Sequence, residues 1–427
     1  MNSTQLSELE RELINRERDL STLSADEQFK LIKQRAKGFV DAERLRTQLR
    51  YAKENNAPLR IKYGIDPTHR EAHLGHIVPV ILARRFLQMG HQVVLVLGDF
   101  TAFIGDPMGR LSTRPILARE QIHQNTEVYT QQLAKFIDVS KIKIVFNSDF
   151  YDPKVMSVSN FIEMLRKNPV SQLTQLEAYR ERKDAGFTIA EFIYPTLMAI
   201  DSIKLQTQVE LGGNDQLLNF HIAKTFMEHE GIEPETAVTT ELLESTAGDG
   251  KKMSKSEGNY VSLLAPANEV YGKIMSIPDR LMEQYFKLLT DITDDQWQEL
   301  AEAMRTQTIH PKDVKQLLAR VIVTWMHNST TAQTAEQHFI RVFSHRDVPD
   351  DILTVHLTYR EGLTWLDIAD EGKIVTSRST FRRLVSEKSV KLMSDENRIV
   401  ADPLELVPIG THVLRYGRGK FVRIIVE

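Results

Sequence analysis

The chain has 427 residues, of which 26% are charged and 41% are hydrophobic, and its formal net charge is −4. This length accommodates two or three domains with separate cores, and the composition is typical of globular proteins. The absence of cysteine excludes disulfides, thiolate metal sites and cysteine catalysis. No apolar run approaches the ~20 residues of a membrane span, and the polar N-terminus lacks the features of a secretion signal, so we expect a cytoplasmic protein without a membrane partner.

Residues 1–58 are predicted to form a helical N-terminal region, because apolar positions recur three or four residues apart. From residue 59 the pattern changes to short apolar strands separated by Gly/Pro turns and helices. Strands are predicted in RIKYGID, HQVVLVLGDF and KIKIVFNSDF, and a helix is predicted in HLGHIVPVILARRFLQMG. This alternation predicts an α/β, doubly wound parallel-sheet (Rossmann-like) domain over 59–262, in which ligands bind at the carboxyl ends of the strands.

The remaining chain divides into three predicted segments. Helical patterns dominate 263–345, residues 346–375 are predicted to be a linker, and 376–427 is predicted to form a helix followed by short strands. This last segment contains ten Lys/Arg and six Asp/Glu residues, a net charge of +4 in an otherwise acidic chain. A local basic patch of this kind is suited to binding phosphates.

The segment GIDPTHREAHLGH leads from a predicted strand through a proline turn into a helix. His73 and His76 lie in the first helical turn, where unpaired backbone N–H groups and the positive end of the helix dipole favour an anion. Gly75 leaves space for a base or ribose close to the backbone. The imidazole N–H groups would bind phosphate oxygens as charge builds on them. Taken alone, the motif is equally consistent with two capping or packing histidines.

The segment KKMSKSEGN lies in a glycine-rich polar loop further along the chain. Lys252 and Lys255 are three residues apart, with Ser254 between them. A mobile loop of this kind can place two ammonium groups over a polyphosphate and stabilise a leaving pyrophosphate. All five residues of KMSKS are specified, and the motif follows HLGH in the expected order. An incidental cluster of surface lysines therefore explains this segment poorly.

HLGH together with KMSKS resembles the signature of class I aminoacyl-tRNA synthetases. The resemblance implies that an amino acid is activated with ATP, that pyrophosphate is released, and that the aminoacyl group is transferred to the 3′ end of tRNA. In this family the amino acid's own carboxylate attacks the α-phosphate, so the protein supplies position and charge. ATP is then a substrate accompanied by Mg²⁺, and neither a tightly bound cofactor nor a resident metal is expected.

Within the class, the chain is similar to tyrosyl-tRNA synthetases over most of its length. The similarity is carried by GIDPTHREAHLGH, GDFTAFIGDPMGRLSTRP, EFIYP…AIDS, VELGGNDQLLNF and KKMSKSEGNYV. The C-terminus resembles the small RNA-binding domain of ribosomal protein S4. The resemblance implies a helical anticodon-arm domain over 263–345, an α+β S4-like domain over 376–427, a homodimer, and tRNA(Tyr) and tyrosine as partners.

The resemblance also implies a set of residues that bind tyrosine. Asp106 would accept the α-ammonium group with help from the hydroxyl of Tyr194. Asp201, seven residues after Tyr194 and on the same helix face, would accept a hydrogen bond from the phenol. A buried acceptor for the phenol rejects phenylalanine strongly. The other predicted members of the tyrosine site are Lys62, Thr101, Asn147, Met198 and Gln216.

On the nucleotide side, the resemblance implies that Asp215 binds the ribose hydroxyls and that Arg114 reaches the pyrophosphate. The predicted ATP site comprises Asp66, Thr68, Gly75, Gly213, Asp215, Met253 and Ser254, and the predicted catalytic set comprises His73, His76, Arg114, Lys252 and Lys255. In the S4-like domain, Arg382, Arg383, Arg418 and Lys420 are candidate contacts to tRNA phosphates, which would make binding salt-dependent.

Three positions depart from the family pattern. Met198 stands where glutamine is common, Ile200 where an aromatic residue is common, and Lys62 where some members have a tyrosine that helps to bind the phenol. A thioether cannot replace the hydrogen bonds of an amide. Met198 and Ile200 keep open a paralogue with altered amino-acid specificity or inhibitor resistance. Two further alternatives are a non-catalytic RNA-binding protein on a synthetase scaffold and another nucleotidyltransferase with the same α/β core.

Overall fold

A computed structural model describes residues 3–106, 118–166, 188–255, 257–343, 352–393, 395, 398–417 and 420–427. The chain divides into two compact units, Met1–Ala332 and Gln333–Glu427. Within the described ranges, no helix is both long enough and apolar enough to cross a membrane. The predicted residues Arg114 and Arg418 lie outside these ranges.

The N-terminal segment of the first unit contains three helices and one strand. They are α1 (Ser3–Ile14), α2 (Ala25–Lys33), β1 (Ala36–Val40) and α3 (Ala42–Glu54). β1 pairs antiparallel with β6 (Thr236–Thr240), so the prediction of an entirely helical region over 1–58 is wrong at this strand. Gly38 weakens the helical pattern there. The pairing with a strand two hundred residues later is a tertiary effect that local periodicity does not contain.

A six-stranded sheet forms the centre of the first unit. Its other strands are β2 (Arg60–Ile65), β3 (Gln92–Leu97), β4 (Lys143–Phe146) and β5 (Val209–Gly213). The order is β1-β6-β5-β2-β3-β4, and every pairing except β1–β6 is parallel. The doubly wound α/β fold is confirmed. Because β2 has β3 on one side and β5 on the other, the strand order reverses here, and a ligand crevice is expected at the carboxyl ends of these strands.

Helices cover both faces of this sheet. They are α4 (Leu74–Gln88), α5 (Asp99–Ile104), α6 (Arg119–Leu133), α7 (Val158–Arg166), α8 (Ile189–Leu205) and α9 (Leu217–His229). α4 is buried almost throughout its length, which explains its continuous apolar sequence. α8 begins at a capping box formed by Thr188 and Glu191, and it packs against α9.

Most of the described part of the predicted helical segment 263–345 is helical, with short turns between the helices. The helices are α10 (Ala267–Met275), α11 (Met282–Leu289), α12 (Asp294–Arg305), α13 (Pro311–Met326) and α14 (Ser329–Phe343). α11 packs against α4, and the buried carboxylate of Asp291 accepts hydrogen bonds from Arg84 at 2.8 Å and Arg85 at 2.9 Å. α10 to α13 therefore belong to the same compact unit as the parallel sheet.

The second unit has an α+β architecture. Its elements after α14 are β7 (Leu353–Leu357), α15 (Trp365–Glu371), α16 (Arg378–Ser386), β8 (Val390–Leu392), β9 (Arg398–Ile399), β10 (Gly410–Tyr416) and β11 (Lys420–Val426). The sheet order is β7-β11-β10-β8-β9. β7 pairs with β11, and Trp365 shares a buried core with Phe381 and Leu414. The prediction of a linker over 346–375 is therefore wrong for the described residues of this segment. Their apolar side chains belong to the core of the second unit, and β7 belongs to its sheet.

Candidate active site

A cleft of about 310 Å³ opens at the carboxyl ends of β2, β3 and β5. All the described residues of the predicted tyrosine, ATP and catalytic sets line it: Lys62, Asp66, Thr68, His73, Gly75, His76, Thr101, Asp106, Asn147, Tyr194, Met198, Asp201, Gly213, Asp215, Gln216, Lys252, Met253, Ser254 and Lys255. These residues are distributed from β2 to the loop after β6. The turns that follow parallel strands bring them to one edge of the sheet.

The two histidines of HLGH bond to the backbone at the start of α4. His73 is the N-cap, and its Nδ1 accepts a hydrogen bond from the N–H of Gly75 at 3.1 Å. The Nδ1 of His76 accepts one from the N–H of His73 at 3.1 Å. In their neutral forms both rings therefore carry the proton on Nε2. The capping interpretation is correct, and it also orients two Nε2–H donors suited to phosphate oxygens.

The charge state of His73 follows from its surroundings. Burial, and then the neighbouring His76 and Lys255, hold the pKa of His73 far below its usual range. The ring is therefore neutral and can donate a hydrogen bond without a charge of its own. Gly75 is required beside it, because a Cβ at this position would lie 2.9 Å from the Nδ1 of His73.

The KMSKS loop is anchored to the body of the unit on both sides of its lysines. Before them, the N–H of Ser245 donates to the carbonyl of Lys251 at 2.9 Å, and between them the N–H of Met253 donates to the carbonyl of Leu243 at 2.8 Å. After them, the N–H of Leu74 donates to the carbonyl of Val261 at 3.1 Å, beside the histidine motif. The two signature motifs therefore lie next to one another at the cleft, although they are far apart in the sequence.

Both lysines of the loop have polar partners at the cleft. The ammonium group of Lys252 lies 3.1 Å from a carboxylate oxygen of Asp215, and the Lys252 side chain is 45% exposed. The ammonium group of Lys255 donates to the hydroxyl of Tyr129 at 3.1 Å. An exposed ion pair is weak, so a polyphosphate can displace these partners at low cost.

Asp106 belongs to a chain of amide groups at one end of the cleft. The amide nitrogen of Gln216 donates to Asp106 at 2.8 Å. Asn219, fully buried on α9, donates to the amide oxygen of Gln216 at 2.8 Å and more weakly to Asp106 at 3.5 Å. Because a carboxylate only accepts, Asp106 fixes the orientation of both amides.

Asp66 stands between this group and the next. It accepts hydrogen bonds from Thr101 at 2.7 Å and from Tyr194 at 2.9 Å. Gly98 makes this arrangement possible, because a Cβ there would lie 2.1 Å from a carboxylate oxygen of Asp66. The hydroxyl of Tyr194, predicted to help bind the substrate ammonium group, donates to Asp66 in this structure.

Asp201 is buried on α8 and bonded on both carboxylate oxygens. It accepts from the hydroxyl of Tyr151 at 2.8 Å and from Asn147 at 3.2 Å. Asn147 also donates to Thr101 at 3.0 Å, which connects Asp201 to the Asp66 group. Burial raises the pKa of Asp201 to about 6, against the opposing effects of Lys62 and of these hydrogen bonds.

Sequence reasoning missed three residues of this site. Asn219 has a detectable signal, since it lies one helical turn after Gln216 on the same face. Tyr151 lies in a 3-10 turn after β4, and no local pattern marks it. Glu210, on β5, is buried at the floor of the cleft and pairs with Lys62 at 2.7 Å.

The predicted tRNA contacts lie in the second unit. Arg382 and Arg383 are exposed on α16, and Lys420 is exposed at the start of β11. The ion pair of Arg383 with Glu387, at 3.9 Å, is long and solvated. The exposed guanidinium groups are therefore accessible to a polyanion.

The parallel sheet, the histidine-capped helix and the two-lysine loop over one cleft define a nucleotide-handling catalytic domain. Residues 53–344 match the family described as tRNA synthetases class I (W and Y). The chain therefore belongs to the class I tRNA synthetases of the tryptophan and tyrosine type.

Similarity to individual proteins identifies the tyrosine branch of this family. The chain is 37% identical to the tyrosine–tRNA ligase of Thermotoga maritima, covering 94% of this chain and 98% of that protein. It is 36% identical to the tyrosine–tRNA ligase of Geobacter metallireducens, covering 95% and 100%. The tyrosyl-tRNA synthetase of Archaeoglobus fulgidus, solved with L-tyrosine, has the same fold, with a TM-score of 0.59 at 22% identity over 73% of this chain and 99% of that one.

Proposed function

We propose that this chain is a cytoplasmic tyrosine–tRNA ligase. It activates tyrosine with ATP, releases pyrophosphate, and transfers the tyrosyl group from tyrosyl-adenylate to the 3′ end of tRNA(Tyr). The observation that carries this proposal is one cleft with a buried polar end around Asp201 and Asp106 and a basic end around His76, Lys252 and Lys255. The relatives give no support to the three alternatives raised by the sequence.

The buried end fits a tyrosine molecule. The phenol hydroxyl would donate to Asp201, between Tyr151 and Asn147. The α-ammonium group would bind the carboxylate of Asp106, which Gln216 already orients. The two carboxylates then bind the two ends of the amino acid, and its own carboxylate is directed toward the nucleotide. Phenylalanine would leave the buried acceptor Asp201 without its donor.

The basic end fits the triphosphate of ATP. Asp215 would exchange Lys252 for the ribose hydroxyls, releasing the ammonium group toward the phosphates. An oxygen of the tyrosine carboxylate attacks the α-phosphorus, and the bond from that phosphorus to the bridging oxygen of pyrophosphate breaks. The Nε2–H groups of His73 and His76, with Lys252 and Lys255, would stabilise the charge that develops on the phosphate oxygens.

Magnesium would arrive with ATP, bound to its phosphates. Within the described residues, no group of three or more His, Asp or Glu side chains is arranged to hold a metal ion. The chain itself would stabilise the developing charge through the imidazole N–H donors of His73 and His76 and the ammonium groups of Lys252 and Lys255, and Mg²⁺ would add to the stabilisation of the leaving pyrophosphate.

An apolar helix face supports a homodimer. Phe161 and Met164 of α7 pack against the core formed by α8 and α9, whereas Val158 and Ile162 of the same helix are exposed. Ile189, at the start of α8, is 85% exposed. Exposed apolar side chains of this number suit a second copy of the chain in a symmetric contact.

Amino-acid-dependent exchange of radiolabelled pyrophosphate into ATP tests the activation step. We expect exchange with tyrosine, and little with phenylalanine or tryptophan. Charging of tRNA(Tyr) by the same preparation tests the transfer step. Exchange that depends on a different amino acid would overturn the proposed substrate, and the absence of exchange with every amino acid would overturn the enzymatic assignment.

The second unit is proposed to bind tRNA through Arg382, Arg383, Arg418 and Lys420, as an S4-like domain. Removing 352–427 deletes its folded core as a whole, whereas a cut at 376 would divide that core. We expect pyrophosphate exchange to persist in the shortened protein and tRNA charging to fall about a hundredfold or more, measured at low and high salt. Equal loss of both reactions would contradict a tRNA-specific role.

A further inference from the structure

Lys62 lies on β2 at the floor of the cleft and is only 2% exposed. An ammonium group has three N–H donors. One donates to Glu210 at 2.7 Å, one to the carbonyl of Met198 at 3.2 Å, and one to the hydroxyl of Ser202. Because protein acceptors take up all three donors, Lys62 has none left for the phenol of a substrate.

The partners of Lys62 surround Asp201 on α8. Met198 and Ser202 lie three residues before and one residue after it, so the contacts of Lys62 hold the helical turn that carries Asp201. Glu210 ties the same ammonium group to β5. The network thus joins two neighbouring strands of the sheet to one turn of the helix.

Glu235 extends the network to the other side of Ser202. It accepts a hydrogen bond from Ser202 at 2.7 Å and another from Thr207 at 2.7 Å, just beyond the end of α8. Glu235 is buried and lies 3.9 Å from the ammonium group of Lys62. The turn from 198 to 202 is therefore bonded from both sides, which limits the positions that Asp201 can adopt.

The charges of the network are consistent with this role. Burial would lower the pKa of Lys62, but the carboxylates of Glu210 and Glu235 outweigh it, so the pKa is raised and the ammonium form persists. Burial, and then the neighbouring Glu235, raise the pKa of Glu210 above its usual range, and the Lys62 ammonium group opposes this rise.

We propose that Lys62 and Glu210 are positioning residues for tyrosine selection: they fix the Asp201 turn of α8 without touching the substrate. This inference rests on the proposed tyrosine activation. It also accounts for Met198, because Lys62 uses the backbone carbonyl of that residue. The Met198 side chain packs against Val40 and Phe220 instead. A thioether at this position therefore leaves the hydrogen bond from Lys62 to the backbone carbonyl intact.

Lys62→Met removes all three donors while keeping most of the length of the side chain. We expect the ratio of kcat/KM for tyrosine to that for phenylalanine, measured by pyrophosphate exchange, to fall about tenfold or more, the size of one lost buried hydrogen bond. The loss is expected in the KM for tyrosine, with the KM for ATP changed less than about twofold. An unchanged ratio in a folded variant would overturn the proposal.

Two substitutions at Glu210 separate positioning from general stability. Glu210→Gln keeps an oxygen acceptor for Lys62, so its ratio should stay within about threefold of the parent protein. Glu210→Leu removes the acceptor and should lower the ratio as Lys62→Met does. If both variants lowered the ratio equally, or neither did, the positioning role would be wrong. This pair decides the question even if Lys62→Met does not fold.

A control variant distinguishes selectivity from loss of stability. Asp291→Asn weakens the buried ion pairs to Arg84 and Arg85, which do not line the cleft. We expect a lower Tm and an unchanged tyrosine-to-phenylalanine ratio. If the parent protein shows no tyrosine-dependent exchange, the proposed function fails. If Asp291→Asn lowered both the Tm and the tyrosine-to-phenylalanine ratio, loss of stability alone would explain the lower ratio, and the positioning inference would be overturned.

Discussion

The two ends of the cleft are built differently. At the tyrosine end, Asp201, Asn147 and Thr101 are each at most 5% exposed and bonded to one another or to neighbouring side chains. At the phosphate end, Lys252 belongs to a loop and forms an exposed ion pair with Asp215. The groups proposed to select the amino acid are thus held in place by bonds within the protein, whereas the groups proposed to meet the developing charge can exchange partners.

This contrast assigns different kinetic signatures to the two ends. A fixed acceptor discriminates between ground states and transition states of different amino acids, so its loss appears in KM and selectivity. A group that meets charge only as the bond to pyrophosphate breaks contributes to kcat. A substitution at the tyrosine end that changed only kcat, or one at the phosphate end that changed selectivity, would therefore contradict this comparison.

The largest effect is expected at the phosphate end. His76→Ala removes an Nε2–H donor and should slow adenylate formation about 10²–10³-fold, with the KM for tyrosine within about twofold of the parent protein. Single-turnover formation of tyrosyl-adenylate measures both quantities. His123→Ala on α6, which does not line the cleft, is the control. Loss of tyrosine binding with normal turnover per bound substrate would reverse the assigned role.

The next effect concerns selectivity at the tyrosine end. Asp201→Asn replaces the charged acceptor by an amide of the same size, so the preference for tyrosine over phenylalanine should fall about 10–100-fold. Pyrophosphate exchange with each amino acid gives the ratio. The KM for ATP should not change. A variant that keeps the parental ratio would show that the phenol is recognised elsewhere.

The pH dependence of tyrosine use should show the charge of Asp201. Burial raises the pKa of Asp201 to about 6, so the carboxylate proposed to accept the phenol is ionised above this pH and protonated below it. We expect kcat/KM for tyrosine to fall by up to about tenfold per pH unit below about 6.

The buried groups near Asp201 that affect this titration are Lys62, which lowers the pKa, and Glu235, which raises it, together with the hydroxyl of Tyr151. The corresponding profile for phenylalanine should be flatter, because phenylalanine has no hydroxyl. Asp201→Asn should flatten the profile for tyrosine. Identical profiles for the two amino acids would assign the titration to another group.

The smallest effect is expected at Asn219. Asn219→Ala releases Gln216 while leaving Asp106 in place, so the KM for tyrosine should rise about three- to tenfold with little change in kcat. Asn214→Ala is a matched control, since Asn214 accepts a hydrogen bond from Thr239 and is absent from the cleft lining. Equal effects of the two substitutions would show that the Gln216 contact is not what matters.

Local sequence patterns predicted the parallel sheet and the meeting of the predicted site residues at one cleft, because each motif directly follows a strand or opens a helix. β1 and β6 were missed, since their pairing joins distant segments. The interpretation of 346–375 as a linker failed because β7 gains its stability only by pairing with β11. Tyr151 could not be found for the same reason: its contact with Asp201 exists only after α8 has packed.

The hydrogen bonds that join the segments of the two signature motifs, here called the bridge, also bear on how the protein folds. Glu71, just before HLGH, accepts hydrogen bonds from Tyr260 and Ser262, which follow the KMSKS loop, and Ser262 is 191 positions away. Closing a loop of this length carries an entropic cost that must be met before the contact stabilises anything. During synthesis, a nascent chain that has not yet extended past Ser262 lacks this bridge, so its nucleotide end remains incomplete.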